Sequence, residues 1–277
     1  MEIGNGFLAD THIHSRFSQD SESQLSEICR GAKEKGICTI CITDHCDVKP
    51  ISDIEKLIQT RKEVFQAVSE EKPDGVELLL GIELACGGFY PQTDIFAQVE
   101  QTILKVGHYD CVIGSVHSVG PTSTARNNYE NMSKEELVAY LERYFDAILA
   151  MLTYGKPDIL AHLTYPLRYI NGKFHKNLDW RELEDKIREI FTHLIQKGIA
   201  LEINTSCLGS DYDRTMPDED ILKIYLDMGG RLLTLGSDAH KPENIGKGFD
   251  RAIAMLKAQN VDTLYYVKNR TLHPYKI

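Results

Sequence analysis

The chain has 277 residues, with 31 Lys or Arg against 41 Asp or Glu, so its formal net charge is −10. Hydrophobic residues make up 42% and charged residues 26%, which excludes a disordered, collagen-like or coiled-coil chain and leaves material for one large α/β domain or two ordinary ones. The acidic balance argues against binding long nucleic acids, no apolar run approaches the roughly 20 residues of a membrane span, and the start Met1-Glu2-Ile3-Gly4 lacks a secretory pattern, so a cytoplasmic protein is expected.

In chain order, seven short apolar runs have the length of buried strands: 7–11, 38–43, 77–82, 111–116, 159–161, 200–203 and 232–236. Amphipathic helical patterns follow them at 26–35, 52–69, 93–105, 133–152, 178–196, 218–227 and 244–258. Ser52 with Glu55, and Ser133 with Glu136, have capping-box spacing, while Gly36, Gly198 and Gly229 stand where helices end. This alternation predicts a parallel sheet covered by helices. An open doubly wound sheet and a closed barrel both fit, but Gly114-Ser115 and Gly236-Ser237 are single turns and no glycine-rich nucleotide loop is present. The seven cysteines are scattered, and Cys38 and Cys41 lie in an apolar stretch, so buried thiols in a reducing compartment are expected rather than disulfides or a zinc knuckle.

The polar residues favour the barrel. The runs end in Asp10-Thr11-His12-Ile13-His14, Thr43-Asp44-His45, Gly81-Ile82-Glu83, Gly114-Ser115-Val116-His117, Ala161-His162, Leu201-Glu202-Ile203-Asn204 and Gly236-Ser237-Asp238-Ala239-His240. Six of the ten histidines thus stand at carboxyl ends of strands, which a barrel gathers at one mouth. His12 and His14 are two apart, so a strand presents both on one face, and Asp238 and His240 repeat the spacing. Imidazoles with carboxylates suit Zn, Mn or Fe. His12, His14, Asp20, His45, Glu83, His117, His162, Asp238 and His240 are too many ligands for one ion and enough for two or three, especially if Glu83 bridges. Such a centre activates water and neutralises a phosphoryl group, which makes phosphate-ester hydrolysis the leading chemistry. His108, His175, His193 and His273 lie away from strand ends and are expected to be structural or exposed.

These strand-end signatures resemble those of the PHP (polymerase and histidinol phosphatase) superfamily, and within it the histidinol-phosphatases. They run from residue 10 to residue 240, in the family's order. The resemblance implies a distorted TIM-like (β/α)7 barrel, here a single domain over 1–277, and a cytoplasmic histidinol-phosphatase of histidine biosynthesis acting on a small phosphorylated metabolite. It also implies two or three divalent ions. His12, His14, Glu83 and Asp238 would hold the first, Glu83, His117 and His162 the second, and Asp20, His45 and His240 the third. Some relatives carry histidine where this chain has Asp20. Glu83, Asp238 and His240 are the expected catalytic residues, with Arg168, Arg214 and Asn204 expected to bind substrate or its phosphate. Asp10 and Asp44, next to ligands in sequence, can steady imidazole N–H groups or serve the sheet ends. Three other readings compete: a phosphoesterase of the same superfamily acting on phosphotyrosine, nucleotides or another small ester; an inactive metal-stabilised domain; and a metal-dependent amidohydrolase.

Overall fold

The computed structural model describes residues 6–48, 54–71, 73–87, 100–102, 105–120 and 122–277. Seven strands, β1 (Ala9–Ile13), β2 (Thr39–Ile42), β4 (Glu77–Gly87), β5 (Cys111–Val119), β7 (Ile159–Leu160), β8 (Ala200–Asn204) and β9 (Leu233–Gly236), pair side by side in that order, all parallel. At the carboxyl end of β1 and just past that of β9, Ile13 bridges Ala239, His14 N donates to Ala239 O and Asp238 N donates to His12 O. The first and last strands therefore meet, and the sheet is a nearly closed α/β barrel. Two short strands, β3 (His45–Val48) and β6 (Thr122–Ser123), extend it at the carboxyl rim beside β4 and β5.

Six helices, α1 (Leu25–Glu34), α2 (Ile54–Glu70), α3 (Lys134–Tyr154), α4 (Glu184–Lys197), α5 (Glu219–Asp227) and α6 (Phe249–Ala258), are described. Leu25, Ile28, Cys29 and Ala32 of α1, and Ile187, Ile190, Phe191 and Leu194 of α4, are buried, the i, i+3, i+4, i+7 stripe of an amphipathic helix. Each large apolar side chain so covered contributes about 1.5–3 kcal/mol. Ser133 caps α3 with Glu136 in the expected capping box, and Gly198 ends α4 in the left-handed conformation at φ 66°. The 244–258 pattern is α-helical only from Phe249, and the 178–196 pattern opens as a 3-10 turn before Glu184. Most of the helix expected over 93–105, and Ser52, lie outside the described residues. Among the described residues, no helix is long and apolar enough to cross a membrane.

A hairpin not anticipated from the pattern follows α6: β10 (Thr263–Lys268) and β11 (Thr271–Lys276), joined at Asn269 and Arg270 with φ of 51° and 58°. It closes the amino-terminal end of the barrel. Val267 packs with Cys41, Leu79, Cys111, Ile113, Ile159, Ala161 and Ala200. Arg270 Nε lies 2.6 Å from Asp158 Oδ2, and Asn269 and Arg270 both donate backbone N–H groups to Asp110. With this end plugged, the carboxyl-terminal mouth is left for chemistry.

Candidate metal centre

Parallel register builds the centre. Glu83 on β4 stands opposite His45 on β3 and Ile113 on β5, and β1 brings His12 and His14 up through the middle of the mouth. The Glu83 side chain is fully buried, and five imidazoles surround its two oxygens. Oε2 lies 2.7 Å from His45 Nδ1, 3.4 Å from His12 Nε2 and 3.6 Å from His14 Nε2. Oε1 lies 3.0 Å from both His117 Nε2 and His162 Nε2. Asp238 Oδ1 is 3.3 Å from His14 Nε2 and 3.7 Å from His12 Nε2. At the rim, Asp20 Oδ2 is 3.4 Å from His45 Nε2 and 3.3 Å from His240 Nε2, and the His240 ring stacks on that of His14. All nine residues singled out as ligands are thus gathered in one cluster.

Partners behind the rings set their orientation. His12 Nδ1 is 2.7 Å from Glu202 Oε1, His117 Nδ1 is 3.2 Å from Asp47 Oδ1, and His240 Nδ1 donates to Asp238 O at 2.9 Å. His14 Nδ1 meets Ser18 Oγ at 3.0 Å. The single Ser18 hydroxyl proton goes to Asp44 Oδ1 at 2.8 Å, so Ser18 accepts from His14, and Asp44 is itself held by Ser15 N and Oγ. Nε2 of these four rings is therefore turned towards the mouth. Asp10 accepts instead from His12 N, Ser237 N and Gly246 N, so it ties β1 to the end of β9.

Charge and burial oppose each other here. Burial favours neutral Glu83 and Asp238, but neighbouring imidazoles override it and hold both carboxyls well below the usual range. Burial pushes His45 and His117 down, yet the Glu83 carboxylate raises them to about 11 and about 9. His14 is pushed down by burial and by its positive neighbours His45 and His240.

The donor set fits divalent cations. His12 Nε2, His14 Nε2, His45 Nδ1 and Glu83 Oε2 are buried yet make no aligned hydrogen bond, the close His45–Glu83 approach included. Leaving such atoms without a partner costs about 1–3 kcal/mol each, and a cation among them removes that cost. Four overlapping triads have ligand atoms within 4.8 Å of one another: His12–His14–Asp238, His12–Glu83–His162, His45–Glu83–His117 and His14–His45–His240. Nitrogen and carboxylate donors without thiolate suit Zn, Mn or Fe.

The three residues expected to meet substrate lie differently. Arg168 opens a π-helical turn (Arg168–Lys173) after β7, and its guanidinium lies over the Tyr165 and Tyr169 rings; Tyr165 in turn packs against His117 and His162. Asn204 is buried below the mouth, donating to Glu202 and accepting from Ser206. Arg214 pairs with Asp218 at 3.4 Å in a hollow lined by Leu208, Arg251 and Met255, which none of the nine cluster residues lines. His108 bonds Asn269 in the hairpin turn, and His273 on β11 stacks on Tyr266 of β10.

Glu202, Asp47 and Ser18 were missed by the sequence reading. Glu202 is two residues before Asn204 on β8, and Asp47 two after His45 on β3, so strand periodicity was the available signal. Ser18 lies in a loop with no such pattern. Gly236 is a further requirement, since a Cβ there would lie 2.0 Å from Glu202 Oε1 and 2.8 Å from His12 Cβ. Gly236→Ala is expected to destabilise the fold by about 1–3 kcal/mol and to lower activity at least tenfold, read by thermal melting and initial rates; unchanged rates would refute the close packing of this carboxylate.

A family model described as PHP domain matches residues 10–206, which hold every cluster member except Asp238 and His240. A probable histidinol-phosphatase of Thermotoga maritima is 31% identical over 258 residues, covering 93% of this chain and 94% of that protein. One of Clostridium acetobutylicum is 30% identical over 270 residues, covering 94% and 96%. The crystal structure of histidinol phosphate phosphatase from Lactococcus lactis subsp. lactis, complexed with zinc, L-histidinol and phosphate, shares the fold with a TM-score of 0.73 at 24% identity, covering 96% of this chain and 98% of that one. With the model match running across the barrel from β1 past β8 and relatives matched nearly end to end, the chain belongs to the PHP domain family.

Proposed function

We propose that the chain is a metal-dependent phosphatase that hydrolyses L-histidinol phosphate to L-histidinol and phosphate in cytoplasmic histidine biosynthesis, with residues 1–277 acting as one unit. The carrying observation is the set of buried, uncommitted ligand atoms around Glu83 in a chain whose nearly end-to-end relatives are named probable histidinol-phosphatases. His12, His14 and Asp238 with Glu83 would hold one ion, Glu83, His117 and His162 a second, and Asp20, His45 and His240 a third. When bound, two or three such ions, of Zn, Mn or Fe, supply Lewis acidity that activates water at neutral pH and neutralises phosphate charge.

The chain's own groups orient the reaction. Glu83, with one oxygen on each side of the cluster, fixes the spacing of the ligand groups. Asp238, its side chain 10% exposed at the mouth, can orient the attacking water by accepting a hydrogen bond from it. Asp20 and His240 lie at the more open rim, where a leaving alcohol departs. Arg168 forms no ion pair among the described residues, and its guanidinium carbon lies 5.6 and 5.4 Å from the Tyr165 and Tyr169 ring centres, so its N–H fork is free for phosphate oxygens. Arg168→Ala is expected to raise KM about 10–100-fold with a smaller loss in kcat, because a hydrogen bond to a charged group contributes about 1.5–3 kcal/mol. A KM within twofold of the parent would remove Arg168 from phosphate binding.

The deciding experiment is phosphate release by metal-replete protein from L-histidinol phosphate, a phosphotyrosine analogue and a nucleoside monophosphate. Strong preference for histidinol phosphate, lost on chelation, is expected. Better turnover of another ester would keep the centre and move the function to a different small phosphate ester. No release from any ester by metal-loaded protein would sink the phosphatase reading.

A further inference from the structure

We infer that Glu202 is a positioning residue that locks two ligands of the centre at once: it selects the tautomer of His12 and pins the backbone turn that aims His162. The inference rests on the metal-dependent reading above and goes beyond its ligand set. Glu202 sits on β8, has no side-chain exposure and touches neither the mouth nor Glu83. Its Oε1 is 2.7 Å from His12 Nδ1; its Oε2 accepts from His162 N at 2.7 Å and from Asn204 Nδ2 at 3.1 Å.

Donor and acceptor counting explains why a carboxylate stands there. The backbone N–H of His162 and the amide of Asn204 can only donate, so Oε2 must accept. A carboxylate offers acceptors on its other oxygen too, so with an ion bound the His12 proton is kept on Nδ1 and Nε2, 3.4 and 3.7 Å from Glu83 and Asp238, is the nitrogen left to ligate. His162 has φ 22°, a conformation L-residues rarely adopt, and Glu202 holds its N–H in that turn, with Nε2 3.0 Å from Glu83 Oε1. One side chain thus links a ligand of the proposed first ion to a ligand of the second.

A glutamine cannot replace it. An amide has one oxygen. If that oxygen faces His162 and Asn204, the NH2 group faces His12 Nδ1 and drives the proton to Nε2, where it blocks ligation. If the amide turns over, His162 N–H and Asn204 meet a donor and the turn is released. Glu202→Gln is therefore expected to weaken zinc binding about 10–100-fold at both positions, with kcat falling more than KM. Asn204→Ala, which removes one donor and leaves Glu202 intact, is expected to change zinc affinity less than threefold.

The test has three arms on the full-length protein. Zinc affinity is titrated against a chromophoric chelator for the parent, Glu202→Gln and Asn204→Ala. Thermal melting of the chelated forms separates folding from ligation. Nitrogen-15 imidazole spectra of the zinc-loaded parent read the His12 tautomer directly, so the inference stays testable if Glu202→Gln does not fold. Protonated Nδ1 on His12, with a two-site affinity loss in Glu202→Gln, supports the inference. A proton absent from His12 Nδ1, a folded Glu202→Gln with parental zinc affinity, or loss at one site alone overturns it. Failure of the parent itself to bind zinc is a different result, because it defeats the metal-dependent reading and the inference with it.

Discussion

Glu83→Gln is expected to lower kcat/KM for the phosphate ester by about 10^3-fold, a loss of ~4 kcal/mol of transition-state stabilisation. The expectation follows from position. Glu83 reaches proposed ligands of all three ions through its two oxygens, with His12, His14 and His45 around Oε2 and His117 and His162 around Oε1. An amide keeps the volume but removes the charge, and it turns one of the two oxygens into a donor facing imidazole nitrogens that must ligate. Metal content should fall with activity, to one ion or fewer per chain. Glu83→Asp tests reach rather than charge: one methylene shorter, it retains the carboxylate but cannot serve both sides, so partial metal content with activity still down at least tenfold is expected. Elemental analysis and initial rates on the same preparations decide. A Glu83→Gln protein with full metal content and activity within tenfold of the parent would show that Glu83 does not bridge.

How much of this was legible in the chain differs by layer. The strand-end residues were readable because chemistry-bearing side chains interrupt apolar runs at one repeated place, after Ile42, Ile82, Val116 and Ala161, and the barrel then brings those places together. Residues behind the ligands were not readable in the same way. Glu202 is visible as a polar residue two before Asn204 in the run 200–203, but only its pairing with His12, 190 positions away, gives it a role. Ser18 acts through Asp44, 26 positions on, and nothing local marks it. The β10–β11 hairpin was hidden for another reason. Its turn is Asn269-Arg270, without the glycine that usually announces a tight hairpin, and its register depends on Asp110 and Asp158, which precede β5 and β7. Arg168 and Arg214 looked equivalent as loop arginines. The fold separates them, because a π-helical turn lays one on tyrosines beside the cluster while the other joins the Asp218 cap of α5.

Removing the metal is expected to abolish activity and to lower Tm by on the order of 10 °C, with both restored by zinc or manganese. A ligand present at 1,000 times its Kd stabilises the fold by about 4 kcal/mol, and at this chain length each kcal/mol moves Tm by a few degrees. The size of the effect should depend on pH in a definite direction. In the chelated protein burial works against charge on His45 and His117, but Glu83 prevails and raises them to about 11 and about 9. A histidine whose folded pKa lies above its unfolded value of about 6.5 adds stability that is fully present below 6.5 and lost as pH rises through the folded value. The chelated protein should therefore lose stability from pH 6.5 towards 9 through His45 and His117 alike, with the His45 share still being lost above 9. Metal binding runs the other way, since each ligating nitrogen must give up its proton and affinity rises with pH over the same window. The gap in Tm between metal-replete and chelated protein should widen from pH 6.5 to 9, and calorimetric zinc titrations in buffers of different ionisation enthalpy should register proton release near pH 8. A gap that stays constant or narrows over that window, or zinc uptake without proton release, would mean that the imidazoles around Glu83 do not bind the ion.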